Sequence, residues 1–241
     1  MSATTTAPTA ADYARIFEAE CRVRYPAVED FEVRMGFALD RERLEDAARV
    51  LACPFKANPP NWQHGRVLYA LLRRYVADHA TERPVRVVDV GTAKGFSALC
   101  LQWALNDAGV TGQVTSVDVI EPAAAVRRNT VAELDGYLSL SKTLAPWPES
   151  AAIRFEWSTS AVVLRRFTRV HVCYLDGKHT YDAVASDIQL LADRQEPGDV
   201  VMWDDVQIDG VARAVAGAAA YTVEYLDILP HRRYAIGVKR G

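Results

Sequence analysis

The chain has 241 residues, of which 50% are hydrophobic and 24% charged, as in an ordinary globular protein. The formal net charge is −3, so the sequence has no overall positive field that would gather nucleic acid or anionic lipid. The four cysteines form no C-x-x-C pair, and no apolar run approaches the roughly 18 residues of a membrane span. We therefore predict a cytoplasmic protein that binds neither nucleic acid nor membranes.

The N-terminal part of the sequence predicts a tail followed by helices. Residues 1–10 are rich in Thr and Ala without periodicity, which predicts a disordered tail. Residues 11–64 are predicted to be a helical extension, with helices over residues 11–21 and 40–52. In the second helix, one face collects the apolar residues Leu44, Ala47, Ala48 and Leu51. This extension could serve as a dimerisation arm, so the sequence leaves a homo-oligomer open.

Residues 65–241 alternate between helical and strand patterns. An amphipathic helix begins at Gly65 and ends before Pro84. Strands are then predicted over residues 85–90, 113–117, 153–157, 170–175 and 200–203, and helices over residues 97–106, 122–134, 181–194 and 210–220. Two closing strands, residues 222–228 and 233–238, are near enough to form a hairpin, which requires one antiparallel strand. We predict one α/β domain with a doubly wound, mostly parallel seven-stranded sheet.

The first candidate ligand loop follows the first strand, because open α/β sheets bind ligands at the carboxyl ends of their strands. The run VVDVGTAKGFSA spaces Gly91 and Gly95 as G-x-x-x-G before a helix, where backbone can approach a ligand and free N–H groups face it. A dinucleotide fingerprint would need glycines at Ala93 and Phe96, and a phosphate loop would also need one at Phe96. A serine-hydrolase elbow is disfavoured because Ser97 lies inside the helix. A plain connecting turn is the alternative.

Acidic residues follow three other strands. Asp118 ends the second strand, where a carboxylate typically accepts the ribose hydroxyls of an adenosine-containing cofactor, although it could also be a helix N-terminal acid. Asp176 follows the fourth strand, and Asp204 and Asp205 follow the fifth. Neighbouring strand ends lie about 5 Å apart, so these three carboxylates should converge and favour a cation. Mg²⁺ is expected first, with Ca²⁺ or Mn²⁺ as alternatives. Asp204 or Asp205 could instead cap the next helix.

Together, the run VVDVGTAKGFSA, Asp118, the segment LDGKHTYD and the strand PGDVVMWDD resemble class I S-adenosylmethionine-dependent methyltransferases. More narrowly, they resemble the metal-dependent macrocin-type O-methyltransferases, which act on sugar hydroxyls of macrolide antibiotics. The resemblance covers about residues 65–241. It implies methyl transfer from S-adenosylmethionine to a hydroxyl group of a small molecule in natural product biosynthesis. A sugar is the first expectation for the acceptor, and a catechol or other vicinal diol is the second.

The resemblance also implies roles for individual residues. The methionine end of the cofactor would contact the glycine loop and the start of its helix, at Asp89, Gly91, Thr92, Ala93, Gly95 and Ser97. Asp118 would bind the ribose, a divalent cation would bind Asp176, Asp204 and Asp205, and His179 would be the base. Related catechol and caffeoyl-coenzyme A methyltransferases carry a lysine at the position of His179. Lys178, directly before it, is therefore the rival base.

Two functions of other classes stay open. The chain could be a cofactor-binding regulatory module whose acids merely cap helices, without catalysis. It could also be a nicotinamide oxidoreductase on a related fold, which Ala93 and Phe96 disfavour. Metal-dependent turnover would separate the enzyme from the binding module, and binding of NAD would indicate the oxidoreductase.

Overall fold

One seven-stranded sheet forms the centre of the molecule. The computed structural model describes residues 8–56, 60–79, 84–124, 129–230 and 232–241. The strands are β1 (Val85–Val90), β2 (Gly112–Asp118), β3 (Arg154–Trp157), β4 (Val172–Leu175), β5 (Val200–Trp203), β6 (Tyr221–Leu229) and β7 (Arg232–Lys239). Their order is β3-β2-β1-β4-β5-β7-β6. Strands β1 to β5 are parallel, and β7 is antiparallel to both β5 and β6. The predicted doubly wound α/β fold with a C-terminal hairpin is confirmed.

Helices cover both faces of this sheet. They are α1 (Ala10–Cys21), α2 (Pro26–Met35), α3 (Arg41–Leu51), α4 (Gln63–Asp78), α5 (Phe96–Ala108), α6 (Leu140–Leu144), α7 (Ser160–Leu164), α8 (Tyr181–Ala192) and α9 (Asp209–Ala216). Short 3₁₀ turns occupy Val131–Glu133 and Pro148–Ala152. Among the described residues, no helix has both the length and the apolar character needed to cross a membrane.

The sheet separates two hydrophobic cores. In β4, Val172 and Tyr174 face one core, whereas Cys173 and Leu175 face the other. Because such a strand is buried on both faces, its sequence is an apolar run rather than an alternating pattern. The first core contains α4 and α5 together with buried residues of α2 and α3, so the N-terminal helices continue the layer that covers this face.

The N-terminal segment contains one helix that the sequence patterns did not predict. Helix α1 begins one residue earlier than expected, because the Thr9 side chain accepts a hydrogen bond from the Asp12 N–H and caps it. Residues 1–7 of the predicted tail lie outside the described residues. The additional helix is α2, which has Pro26 in its first turn and ends at Gly36, with φ of +77°. A proline in the first turn is an ordinary signal for the start of a helix, and a glycine with positive φ is an ordinary signal for its end.

The helix predicted over residues 122–134 is wrong in the described part of the chain. Residues 122–124 form a turn, residues 125–128 lie outside the described residues, and Val131–Glu133 makes only a 3₁₀ turn. Asn129 adopts φ of +58° and exchanges hydrogen bonds with the backbone of Phe55. Glu133 pairs with Lys94 of the glycine loop. These tertiary contacts override the local helical pattern.

Candidate active site

Two cavities lie at the carboxyl ends of the parallel strands. The larger, of about 640 Å³, extends between the loops that follow β1, β2 and β4, and its wall includes Asp118, Ile120, Ser158 and Lys178. The smaller, of about 200 Å³, lies between the glycine loop and residues 51–56 and 61–64, and its wall includes Lys56, Asn61, His64 and Ser97. The two cavities share Gly91, Ala93 and Asp176. Ligands in the two cavities would therefore meet at these residues.

Gly91 is required by the backbone that faces it. Its φ is +99°, and a Cβ atom there would lie 2.2 Å from the carbonyl oxygen of Asp176. The loops after β1 and β4 are held together because the Asp176 N–H donates to the Val90 carbonyl at 2.9 Å. The G-x-x-x-G pattern predicts space for a ligand at this glycine. In the structure, close approach of the Asp176 backbone already excludes any side chain.

Asp89 lies behind the glycine loop and lines neither cavity. Its side chain is fully buried and accepts a hydrogen bond from the Ser116 hydroxyl. Ser116 also lies 2.7 Å from the hydroxyl of Thr92. Burial raises the pKa of Asp89 to about 6, and the hydrogen bond from Ser116 opposes this rise. Asp89 therefore supports the loop through Ser116 and Thr92.

Asp118 holds the start of the glycine loop while facing the larger cavity. Its two carboxylate oxygens accept the N–H groups of Ala93 at 3.1 Å and Ile120 at 3.0 Å. The second half of the loop is fixed differently, since Lys94 is only 4% exposed and its ammonium pairs with Glu133. Beyond it, Gly95 precedes α5 with φ of +81°, and Ser97 faces the smaller cavity.

The loops after β4 and β5 bring two carboxylates and an imidazole together. His179 Nε2 lies 3.2 Å from Asp176 Oδ1, and His179 Nδ1 lies 3.6 Å from Asp205 Oδ2. One ligand atom from each of these residues lies within 4.8 Å of the other two. That spacing suits a divalent cation, for which carboxylate oxygen and imidazole nitrogen are ordinary ligands. The residues present therefore fit a metal.

Asp204, the third member of the predicted metal set, has other contacts. It is 3% exposed and accepts hydrogen bonds from the Tyr174 hydroxyl at 2.7 Å and from Arg232 at 3.0 Å. Its neighbour Asp205 has φ of +53°, which turns the Asp205 side chain towards His179. Of the predicted trio, the structure thus brings Asp176 and Asp205 together with His179, whereas Asp204 lies behind them.

The charges of this cluster shift the protonation of its members. Burial and the neighbouring Asp204 carboxylate raise the pKa of Asp176 to about 7, and the hydrogen bond with His179 acts in the opposite direction. The same hydrogen bond raises the pKa of His179 above its usual value. Lys178 is exposed and lines the larger cavity rather than this cluster. A bound cation would relieve the repulsion that these shifts reflect.

A family model described as a methyltransferase domain matches residues 88–206, from within β1 to the loop after β5. The protein is a methyltransferase. This assignment argues against both alternatives, the nicotinamide oxidoreductase and the module without catalysis. A search of curated proteins found no significant match.

The methyltransferase is similar in structure to two bacterial enzymes. One is the O-methyltransferase TomG from Streptomyces achromogenes, involved in tomaymycin synthesis and solved in complex with SAM. Its TM-score is 0.57 and its sequence identity 17%, and the alignment covers 85% of this chain and 92% of TomG. The other is an O-methyltransferase from Bacillus cereus in complex with SAH, with a TM-score of 0.54 and 12% identity, covering 93% of this chain and 96% of that one. At these identities the likeness shows the class I fold.

Two residues of the methyltransferase site were not predicted from the sequence. Tyr174 belongs to an apolar strand, yet its hydroxyl reaches Asp204 and lies 3.4 Å from Asp176. Arg232 begins β7 and also lies 3.4 Å from Asp205. The position of Arg232 could have been predicted, because a β7 strand antiparallel to β5 must begin where β5 ends. Tyr174 had none, since a buried tyrosine in an apolar strand suggests only core packing.

Proposed function

We propose that this methyltransferase transfers the methyl group of S-adenosylmethionine to a hydroxyl oxygen of a small molecule. The observation that carries the proposal is the junction of the two cavities at Gly91 and Asp176. Methyl transfer requires donor and acceptor to be aligned in contact, and a shared wall between two separate cavities permits this. The two similar structures are O-methyltransferases in complex with SAM or SAH.

In this proposal the larger cavity holds the cofactor, which supplies an electrophilic methyl group. Asp118 accepts the ribose hydroxyls, because a carboxylate oxygen can accept more than one hydrogen bond. The backbone of Gly91 and Ala93, which both cavities share, borders the methionine end. Thr92 and Ser97 line the smaller cavity, so they and Gly95 would contact the cofactor only where the two cavities meet. Asp89 acts from behind, by fixing Ser116 and Thr92.

We also propose that a divalent cation, Mg²⁺ in the first place, binds at Asp176 and Asp205, with Asp204 as the third carboxylate. When bound, such an ion would lower the pKa of an acceptor hydroxyl. Arg232 now contributes the positive charge beside Asp204 and Asp205. The contribution of Asp204 as a ligand therefore depends on its release from Arg232, whereas Asp176 and Asp205 already face each other across His179.

His179 is proposed as the base that takes the proton of the acceptor hydroxyl. It is half-buried and contacts Asp176, which lines both cavities, whereas Lys178 is exposed. The hydrogen bond to Asp176 orients the ring and stabilises the imidazolium that forms. Only a neutral ring can accept the proton, so activity should rise with pH through the raised pKa of His179. The proposed acceptor is a sugar of a natural product, and a vicinal diol or catechol is second.

The deciding experiment is a screen of hydroxylated acceptors for release of S-adenosylhomocysteine, run with Mg²⁺ and with EDTA. Turnover that requires Mg²⁺ is expected. Turnover that survives complete chelation would remove the metal from the proposal and leave the fold untouched. Failure of S-adenosylhomocysteine to bind in calorimetry would contradict the cofactor assignment itself.

Variants separate the two roles that His179 could have. As a base, His179→Ala should lower kcat by about 10²–10⁴-fold with nearly unchanged affinity for Mg²⁺ and cofactor. As a metal ligand, the same variant would lose Mg²⁺ affinity, and added Mg²⁺ would restore part of the rate. Asp205→Asn is the reference for the second behaviour. If Lys178→Ala abolishes activity and His179→Ala does not, Lys178 is the base.

A further inference from the structure

We propose that His64 binds the acceptor, through a hydrogen bond to a hydroxyl group adjacent to the one that is methylated. The inference deepens the proposed function and rests on it. It assigns the smaller cavity to the acceptor, and it names a neutral molecule with neighbouring hydroxyl groups as the class of acceptor that fits.

The position of His64 in the smaller cavity is fixed by aromatic contacts. It is the second residue of α4, and its ring stacks on Tyr174 with centroids 5.8 Å apart and planes 4° from parallel. Its edge packs on Phe96 at 5.2 Å. The next residue is Gly65, where a Cβ atom would lie 2.7 Å from the Phe96 ring, so this close approach depends on glycine. His64 is therefore held in one orientation before any ligand binds.

His64 and Asp176 face the same cavity of about 200 Å³. Asp176 also borders the larger cavity, so it marks the point at which an acceptor would meet the cofactor. An acceptor hydroxyl near Asp176 would leave the rest of the molecule beside His64. The Tyr174 ring supports this arrangement, because it stacks on His64 while its hydroxyl reaches Asp204.

The ring nitrogens of His64 are unsatisfied. Nδ1 is inaccessible to solvent, and neither ring nitrogen has a hydrogen-bond partner within the described part of the chain. The other described histidines differ. His79 lies 2.9 Å from a backbone carbonyl, His171 accepts from the Arg86 N–H at 2.9 Å, and His179 contacts Asp176. A half-buried polar group without a partner costs free energy unless a ligand provides one.

The protonation state of His64 indicates what it can bind. Burial lowers its pKa to about 4, although the negative charge of Asp204 acts in the opposite direction, so the ring is neutral at physiological pH. A neutral imidazole has one donor and one acceptor. A hydroxyl group can accept from a ring N–H or donate to the unprotonated nitrogen, so it pairs with either tautomer, whereas a carboxylate can only accept and an ammonium group can only donate. His64 therefore selects an uncharged, hydroxylated acceptor.

Nitrogen-15 NMR of histidine rings tests this binding without requiring turnover. The protein is saturated with S-adenosylhomocysteine and Mg²⁺, and three probes are added in turn: methyl α-L-rhamnopyranoside, methyl β-D-glucopyranoside and catechol. We expect at least one probe to shift the ring resonances of His64 and to leave those of His79, at the far end of α4, unchanged. If no probe shifts His64, whether or not a probe is methylated, the inference is wrong.

Kinetics with any probe that is methylated provides the second test. His64→Phe keeps an aromatic ring against Tyr174 and removes both nitrogens, so KM for the probe should rise about 10-fold while KM for S-adenosylmethionine stays within twofold. His64→Gln restores a donor and an acceptor and should recover part of this loss, and His79→Phe is the matched control. An unchanged acceptor KM in His64→Phe would overturn the inference. Loss of S-adenosylhomocysteine binding by the parent protein would contradict the proposed function instead.

Discussion

The loops after β1 and β2 and the loops after β4 and β5 lie at the same edge of the sheet, but the charges of the two pairs are balanced differently. In the first pair, the chain itself supplies the partners. Both oxygens of Asp118 accept backbone N–H groups, and the buried Lys94 pairs with Glu133. This half of the site is therefore complete and ordered before a ligand arrives.

The second pair of loops carries more negative charge than its surroundings neutralise. Three carboxylates face only Arg232 and His179 as cationic partners within the described residues, and the pKa of Asp176 rises to about 7. We call the first pair of loops the cofactor half and the second pair the acid half. Contacts within the chain order the cofactor half, whereas the proposed cation would complete the acid half. The predictions below test each half, beginning with the largest expected effect.

Glu133→Gln should destabilise the cofactor half most strongly, because it leaves the Lys94 ammonium buried without a counter-charge. We expect the free energy of unfolding in urea to fall by about 3–5 kcal/mol, and cofactor affinity to fall with it. The control is the double variant Lys94→Met with Glu133→Leu, which removes both charges. It should be much closer to the parent in stability. Equal losses in the single and double variants would show that the pair itself is not what orders the loop.

Gly91→Ala tests the contact between the two halves. A Cβ atom 2.2 Å from the Asp176 carbonyl, added at φ of +99°, should lower the free energy of unfolding by about 2–5 kcal/mol. The matched control is Gly109→Ala, since Gly109 has φ of +65° but nothing within 4 Å of an added Cβ. That variant should lose only about 1–2 kcal/mol. If both variants lose the same amount, steric contact with Asp176 is not the cause.

Asp118→Ala should affect binding more than folding. Loss of a charge-assisted acceptor for the ribose hydroxyls is expected to cost about 1.5–3 kcal/mol, or roughly a 10–150-fold weaker dissociation constant for S-adenosylhomocysteine by calorimetry. Glu121→Ala, a change at an exposed acid of the same loop, provides the comparison. A parent-like dissociation constant in Asp118→Ala would disprove the ribose assignment.

The pH dependence of stability reports on the acid half. The folded protein holds the Asp176 proton more tightly than the unfolded chain, because the pKa of Asp176 is raised to about 7. Its contribution to stability is therefore present at low pH and is lost as pH rises from about 4 towards 7. In EDTA, Asp176→Asn should flatten this slope, and the exposed Asp182→Asn should leave it unchanged. Saturating Mg²⁺ should also reduce the slope in the parent protein.

Much of the fold could be predicted from local patterns. Strands β1 and β5 are short valine-rich runs, and the closing hairpin implied the antiparallel β7. The sequence also placed Asp118, Asp176, Asp204 and Asp205 at strand ends, where the structure has them. These predictions succeed because each depends on residues that are near one another in the chain.

The failures share a physical cause, which is contact between distant segments. Residues 129–134 are held out of a helix by contacts with Phe55 and Lys94, and no local pattern records those partners. In the same way, the hydrogen bonds that Asp204 accepts from Tyr174 and Arg232 join distant parts of the chain, so the sequence could not predict them. The unsatisfied nitrogens of His64 could not be predicted either, because they follow from how α4 packs on α5.

The separate origins of the two cavity walls have an evolutionary consequence. The floor at Gly91 and Asp176 belongs to the strand loops, whereas one wall of the smaller cavity comes from residues 51–56 and 61–64, which precede the first strand. If the smaller cavity receives the acceptor, mutation in that short stretch can alter which molecule is accepted without disturbing the groups that perform the reaction. Exchanging residues 51–64 between related enzymes is thus a route to new acceptors on one unchanged catalytic platform.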